Sequence, residues 1–343
     1  MVFTRPTDLG GPPAAPPAPP PPAAAPPPAP TPPGVPRIQS VETALLPRLL
    51  EPPEEKPPSL AELARRHGLK PAATRPTIGA YIAGLWRYRE FIAFYANGRT
   101  IASFGAARLG RLWQVLTPLL NAGIYFLIFG VILGGRSGID NFAAYLCIGI
   151  FFFQVMSTMV QQSVQSISGQ LGLVRAMQFP RASLPIAGAL AQFEALVIST
   201  IVLSIVVIAT GEPLKLDWVY LVPAMGLLFL FSLGLSLFVA RLGAKVADLR
   251  QVLPFVTRVW MYASAVLFSV ELYAEHLPPW AVEIFHANPM LVYIEMARFA
   301  MMEGVPLGNS FLELWLKGGA WALLVLVVGF VYFWRGEAEY GRG

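Results

Sequence analysis

Residues 142–162 read FAAYLCIGIFFFQVMSTMVQQ, without a single charged side chain. A hydrocarbon layer about 30 Å thick needs roughly 20 helical residues at ~1.5 Å each, so this stretch is long enough to cross a bilayer as one helix. Outward along the chain, charge-free or nearly charge-free stretches of similar length recur at 112–133, 187–209, 218–240, 251–270 and 314–334. They predict an all-α integral membrane protein with six transmembrane helices. The composition agrees: 55% of the 343 residues are hydrophobic and 13% are charged, which excludes ordinary soluble globular classes. The stretch 279–302 is moderately apolar but is interrupted by Glu283, His286, Glu295, Arg298, Pro279 and Pro289. It reads as short re-entrant helices dipping into the outer surface between the fifth and sixth spans.

Of the 33 prolines, 23 fall in the first 76 residues, and 11–36 are almost entirely proline and alanine. Such a segment has few large apolar side chains to bury and few amide donors, so 1–76 is expected to be a disordered, polyproline-like cytoplasmic tail with a short helical patch over 58–68. It lacks the basic and apolar regions of a secretory signal. Residues 77–111 form the lead-in: Tyr81, Leu85, Tyr88, Ile92 and Tyr95 recur at spacings of three and four, while Arg87, Glu90 and Asn97 take another side. That pattern predicts one amphipathic helix lying in the membrane interface. The membrane domain then runs over 112–335, and 336–343 is a short cytoplasmic tail.

The formal net charge is +5, but the basic residues stand at the ends of apolar runs rather than in one patch, a distribution for a bilayer and not for nucleic acid. With the N-terminus inside, Arg87, Arg89, Arg99, Arg108, Arg111, Arg175, Arg181, Arg241, Lys245, Arg250, Arg335 and Arg342 fall on the inner side. Only Arg136, Lys215, Arg298 and Lys317 fall outside. This asymmetry places both termini in the cytoplasm of a multi-pass inner-membrane protein. The lone cysteine, Cys147, lies in an apolar run and is read as a buried small residue.

No phosphate-binding loop, HExxH, CxxC or GxSxG is present, so the chain is read as having no catalytic residues of its own. His276 and His286 accompany Glu271, Glu275 and Glu283 in no common metal-ligand spacing, and no metal site is assigned. Two charges are expected inside the bilayer, where each is costly unless paired or wet. The third span is too short unless it takes in Glu194, and the fifth unless it takes in Arg258. These two either pair with each other or with helix-end carbonyls, or Arg258 faces a polar cavity and binds an anion. Aromatic residues near them, namely Tyr125, Phe129, Phe152, Trp260 and Tyr262, are candidates for lining a wet passage in which sugar rings slide by stacking.

Four motifs carry a resemblance. LGRLWQVLTP (109–118) before the first span, FPRASLP (179–185) before the third, DLRQVLP (248–254) before the fifth and NPMLVYIEMAR (288–298) in the outer segment resemble ABC-2 type polysaccharide exporter permeases, the group that includes O-antigen and teichoic acid exporters. Two departures are NGRTIASFGAAR where a basic, tyrosine-containing run is usual, and ASAVLF where the fifth span usually carries serine-proline. The proline-alanine tail and that fifth span look most like the branch exporting the lipid-linked galactan of arabinogalactan cell walls. The resemblance implies a permease homodimer with two copies of a separate ATPase subunit, which alone binds ATP and Mg. It further implies a polyprenyl-pyrophosphate-linked glycan as cargo, a coupling loop containing Arg175, Phe179, Pro180 and Arg181, and a periplasmic gate around Asn288, Pro289 and Arg298. An exporter of drugs or small amphiphiles shares the same fold and is the alternative.

Overall fold

The computed structural model describes residues 59, 62, 63, 66, 67, 76–104, 112–132, 139–268, 278–305 and 307–340. The expected tail otherwise lies outside the described residues, as do Glu271, Glu275 and His276. The chain divides into Met1–Lys70 and Pro71–Gly343. In the first, Glu62, Leu63 and Arg66 of the short patch are helical, with Arg66 Nη2 3.9 Å from Glu62 Oε1. So exposed a pair contributes little.

Helices make up the second unit, and no strand occurs among the described residues. In chain order they are α1 (Ile78–Arg87), α2 (Arg89–Phe104), α3 (Leu112–Tyr125), α4 (Phe142–Ser163), α5 (Leu171–Ala176), α6 (Ser183–Ala209), α7 (Leu221–Lys245), α8 (Leu249–Tyr262), α9 (Pro279–His286), α10 (Pro289–Met301) and α11 (Phe311–Arg335). The lead-in is two helices rather than one, broken at Tyr88, whose hydroxyl donates to the Gln178 carbonyl at 3.0 Å. Its tyrosine face packs on the protein. Tyr81, Ile92 and Ala96 are buried against the protein, with Ile92 and Ala96 packed on Ala187 and Ala191 of α6. The large apolar side chains left uncovered are Ile78, Ile82, Trp86, Phe94 and Ile101, which stand away from that face and suit an interface position.

Four helices are long and apolar enough to cross a membrane: α4, α6, α7 with the 3-10 turn before it, and α11. The six-span expectation is thereby narrowed. Residues 112–132 are helical throughout, but α3 passes into a π-helical stretch at Phe126–Ile132. The fifth expected span does not run to 270 as a helix. It is α8, of 14 residues, which stops at Tyr262. Ser264 Oγ donates to the Trp260 carbonyl at 2.7 Å and Asn288 Nδ2 to the Ala263 carbonyl at 2.6 Å, so acceptors at the helix end are taken by side chains. Ala265 then adopts a left-handed φ of 48°.

The outer segment also differs from expectation. Instead of lying at the surface, α10 is among the most enclosed helices, with Glu295 and Arg298 both buried. Glu295 is met inside the protein by the Gly308 amide and Asn309, and Arg298 by two carbonyls and the Tyr145 ring, while among the described residues Arg298 Nη1 has no hydrogen-bond partner. At its side, α11 opens on a capping box in which Glu313 Oε2 accepts from the Ser310 amide at 2.9 Å. The hub is α4, packed against α3, α6, α7, α8 and α10. The closest crossing joins α7 to α11, where a Cβ on Gly234 would lie 2.5 Å from the Leu326 Cα and one on Gly329 would strike the Gly234 carbonyl. Only glycine permits that approach.

Gly234→Leu therefore forces these backbones apart and is expected to lower stability by about 1–3 kcal/mol or prevent folding, by overpacking. Gly319→Leu, on α11 where an added Cβ meets nothing within 4 Å, is expected to be near neutral. Thermal unfolding of both variants in detergent checks this.

Candidate functional site

An apolar helix with amides along one face is the starting point. On α4, Gln154, Thr158, Gln161 and Gln162 fall at spacings that keep them on one side of a 3.6-residue helix, and Gln165 follows in the turn just past its end. They line a cavity of about 530 Å3 together with Gln170, Arg99 of α2 and Arg250 of α8. A second cavity of about 270 Å3 shares Gln154, Gln161 and Pro254 with it and adds Asn121, Tyr125, Thr257 and Arg258. A third, about 230 Å3, shares Gln154, Thr158 and Gln162 and extends to Trp113, Gln192 and Ser199. Gln154 thus borders all three, which together form one branched polar groove.

Side-chain hydrogen bonds brace the groove from α4 and the turn after it to α8 and α6. Gln161 Nε2 donates to Ser157 Oγ at 2.7 Å and to Thr257 Oγ1 at 3.1 Å. With its amide oriented to satisfy both sides, Gln165 accepts from Arg250 Nη1 at 2.8 Å. Gln192 Nε2 of α6 donates to Gln162 Oε1 at 3.2 Å. Amides offer both donors and acceptors, so the same wall can hold water or the hydroxyls of a passing chain.

At one end of the groove the backbone after α8 is irregular yet buried. Tyr145 Oη of α4 donates to the Ala265 and Phe268 carbonyls at 3.2 and 3.0 Å. Arg298 Nη2 donates to the Tyr145 carbonyl at 3.1 Å and to Val266 at 3.4 Å, and its guanidinium carbon lies 3.2 Å from the Tyr145 ring centroid. Asn288 caps α10 and accepts from Trp260 Nε1 at 2.9 Å. One turn before Arg298, Glu295 accepts from the Gly308 amide at 2.7 Å and Asn309 Nδ2 at 2.8 Å.

The far end of α11 carries a second lock. Glu337 accepts from Tyr81 Oη at 2.7 Å and from the Arg181 amide at 3.0 Å, and Arg181 Nη1 donates to the Glu337 carbonyl. Tyr81 Oη in turn accepts from the Ala182 amide at 3.1 Å. Burial pushes the Glu337 carboxyl above its ordinary range, opposed by the Arg181 amide, the Tyr81 hydroxyl and the Arg181 charge. Burial, then the charge and hydrogen bond of Glu337, raise the Tyr81 phenol, which stays a donor.

The sequence-derived candidates distribute as follows. Tyr125 and Arg258 line the second cavity, and exposed Tyr262 is hydrogen-bonded to Tyr125. Phe152 is fully buried in the core, and its neighbour Phe153 borders the groove instead. Trp260 is held edge-on between Phe153 and Phe231 and anchors Asn288, a structural position. The Phe129 side chain lies outside the described residues. Glu194 sits half-buried within α6, as the length argument required, and borders none of the three cavities. In the coupling loop, Arg175 is exposed, Phe179 packs on Phe91 at 5.3 Å, Pro180 faces Gly84, and Arg181 is committed to Glu337. Asn288 and Pro289 begin α10, and Arg298 is enclosed rather than gating an opening. The glutamine face, Arg99, Arg250, Tyr145 and Glu337 were not singled out from the sequence, although the spacing of the glutamines was visible there.

An all-helical membrane bundle with a polar groove is the architecture of a transport permease, and the comparisons specify which. Residues 94–302 match the ABC-2 type transporter family, which is more than half of the chain, and the protein belongs to it. It is similar to the O-antigen export system permease protein RfbA of Klebsiella pneumoniae, 23% identical over 245 residues that cover 71% of this chain and 91% of that one. It is 27% identical over 202 residues to the polysialic acid transport protein KpsM of Escherichia coli, covering 59% and 77%. It is also 27% identical over 218 residues to the capsule polysaccharide export inner-membrane protein CtrC of Neisseria meningitidis serogroup B, covering 61% and 78%.

Tyr145→Phe leaves two buried carbonyls without their hydroxyl donor and is expected to cost about 1–3 kcal/mol in unfolding experiments. Glu337 gives a pH signature. Its folded-state pKa is raised, so the folded protein takes up a proton more readily than the unfolded chain, and its contribution is lost as pH climbs from the ordinary carboxylate value through the raised one. Unfolding midpoints of wild type and Glu337→Gln measured across that window are expected to separate with pH, wild type faring relatively best on the acid side.

Proposed function

We propose that this chain is the membrane permease of an ATP-driven exporter that moves a polysaccharide from the cytoplasmic to the outer side of the inner membrane. The observation that carries the reading is the groove: neutral amides and hydroxyls, with Tyr125 and Phe153 among them, in the middle of an apolar bundle. Weak, exchangeable hydrogen bonds and aromatic faces suit a hydroxyl-rich polymer that must keep moving. The three relatives described above are named for O-antigen, polysialic acid and capsule export, which favours a polymer over small amphiphiles.

A groove of amides facing lipid would be costly. A second copy closing over it removes that cost, and supports a homodimer with the passage between protomers. In this reading residues 112–132 and α8 complete six crossings, and the segment from α9 to α10 forms the outer gate. Two copies of a separate ATPase subunit, which holds ATP and Mg, dock on the cytoplasmic side where α1, the 177–182 loop and the C-terminal segment meet. The finer assignment of the cargo, a polyprenyl-pyrophosphate-linked galactan, rests on the sequence resemblance of the tail and the fifth span.

Co-expressed with its ATPase subunit and reconstituted in inside-out vesicles, the permease is expected to carry labelled lipid-linked galactan into the lumen only with ATP. Gln154→Leu with Gln161→Leu is expected to cut that transport about tenfold or more while the complex still assembles. Transport of small amphiphiles but no glycan, or ATP hydrolysis by the purified permease alone, would overturn the reading.

A further inference from the structure

Residues 336–340 follow α11 and gather the ends of three other elements. Glu337 receives the Tyr81 hydroxyl of α1 at 2.7 Å and the Arg181 amide of the 177–182 loop at 3.0 Å, while the Arg181 guanidinium donates to the Glu337 carbonyl. Two residues on, Glu339 Oε2 lies 3.1 Å from Lys245 Nζ and Oε1 3.8 Å from Arg241 Nη2, both in the last turns of α7. Arg241 also stacks on the Tyr332 ring of α11 at 4.3 Å. Tyr340 Oη donates to the Phe333 carbonyl at 3.1 Å, which ties the segment back to α11 itself.

Stability alone does not require this junction. A buried ionisable group with polar partners is often no more stabilising than apolar side chains of the same volume. What the polar bonds add is direction, because they weaken steeply away from their preferred angles. Glu337 and Tyr81 are also buried, so neither offers its side chain to a subunit docking from outside. The 177–182 loop is continuous with α6, so a push on it reaches α6 through the chain. The bonds of Glu337 extend that push to α11, and those of Glu339 extend it to α7.

We propose that Glu337 and Tyr81 are positioning residues that join α1, the 177–182 loop and the ends of α7 and α11 into one lever, so that force from the ATPase subunit on the first two moves the last two. The proposal rests on the reading that an ATPase subunit docks on this side.

The permease–ATPase complex in lipid vesicles gives two readouts. One is the glycan carried per ATP hydrolysed. The other is the ATP-dependent change in hydrogen exchange at 210–220 and 302–310, the turns at the opposite ends of α7 and α11. In assembled complex, Tyr81→Phe and Glu337→Leu are each expected to lower the transport ratio about threefold or more and to abolish the exchange change. Glu337→Gln, which keeps an oxygen for the Arg181 amide, is expected to retain part of both. Because the two side chains act through one bond, Tyr81→Phe combined with Glu337→Leu is expected to be no worse than Glu337→Leu alone. If Glu337→Leu does not fold, Tyr81→Phe and Glu337→Gln carry the same test. A lowered unfolding midpoint with an unchanged ratio and exchange change identifies a purely structural bond and overturns the proposal, as do losses that multiply in the double variant. Glycan transport undiminished in Tyr81→Phe removes the lever and leaves the export reading standing. A wild-type complex that carries no glycan, yet whose exchange change is lost in Tyr81→Phe, does the reverse.

Discussion

Irregular backbone inside a membrane bundle must find hydrogen-bond partners within the protein, because lipid supplies none. Residues 263–268 impose that demand, and much of the arrangement around them answers it. The Ala263 carbonyl is met by Asn288, those of Ala265 and Phe268 by the Tyr145 hydroxyl, and that of Val266 by Arg298. To deliver Asn288 and Arg298, α10 has to lie in the interior, so its burial follows from the break in α8. The Arg298 charge is tolerated there by carbonyls, the Tyr145 ring and the neighbouring Glu295. Because Asn288 also receives the Trp260 indole, the end of α8 is fixed in direction, which sets Thr257 opposite Gln161 and aims Arg258 into the groove.

The same helix, α4, serves both requirements. Its N-terminal half supplies Tyr145 and the packed core residues Leu146, Ile148 and Phe152, while its later turns carry the amide face. Amides rather than charges hold the groove open at a low desolvation cost, since a neutral polar group loses far less than an ion on leaving water. The few charges present are arginines, the side chain that shares itself most readily among carbonyls, amides and rings.

Span lengths were legible because bilayer thickness fixes them: α4, α6, α7 and α11 each fall close to the apolar stretches read from the sequence. What hydropathy could not show was where an apolar run stops being a helix. ASAVLF at 263–268 is as apolar as any span, and its unwinding is decided by Tyr145, Asn288 and Arg298, which come from other parts of the chain. The tyrosine face of α1 and α2 carried the right period, but period alone does not distinguish packing on α6 from lying on lipid. For the groove, attention fell on aromatics and the two embedded charges, and the glutamines were passed over because they do not break an apolar stretch. Their spacing on one helix face was nonetheless the plainest sign of a wet surface. Glu337 and Arg181 lie 156 residues apart, and only the fold brings them together.

The glycine contact between α7 and α11 has a mechanical consequence. Two helices whose backbones touch at Gly234 and Gly329 cannot slide past each other without one carbonyl meeting the next turn. They form one stiff beam. Beside that beam, α8 leaves Val252, Phe255, Val256 and Val259 uncovered, carries Pro254 in its interior, and ends in unwound chain. Proline removes one rung of the backbone ladder, so α8 bends more easily than an unbroken helix. The groove therefore has one rigid wall framed by α4 on the beam and one compliant wall in α8, and its width is set by how far the compliant wall swings.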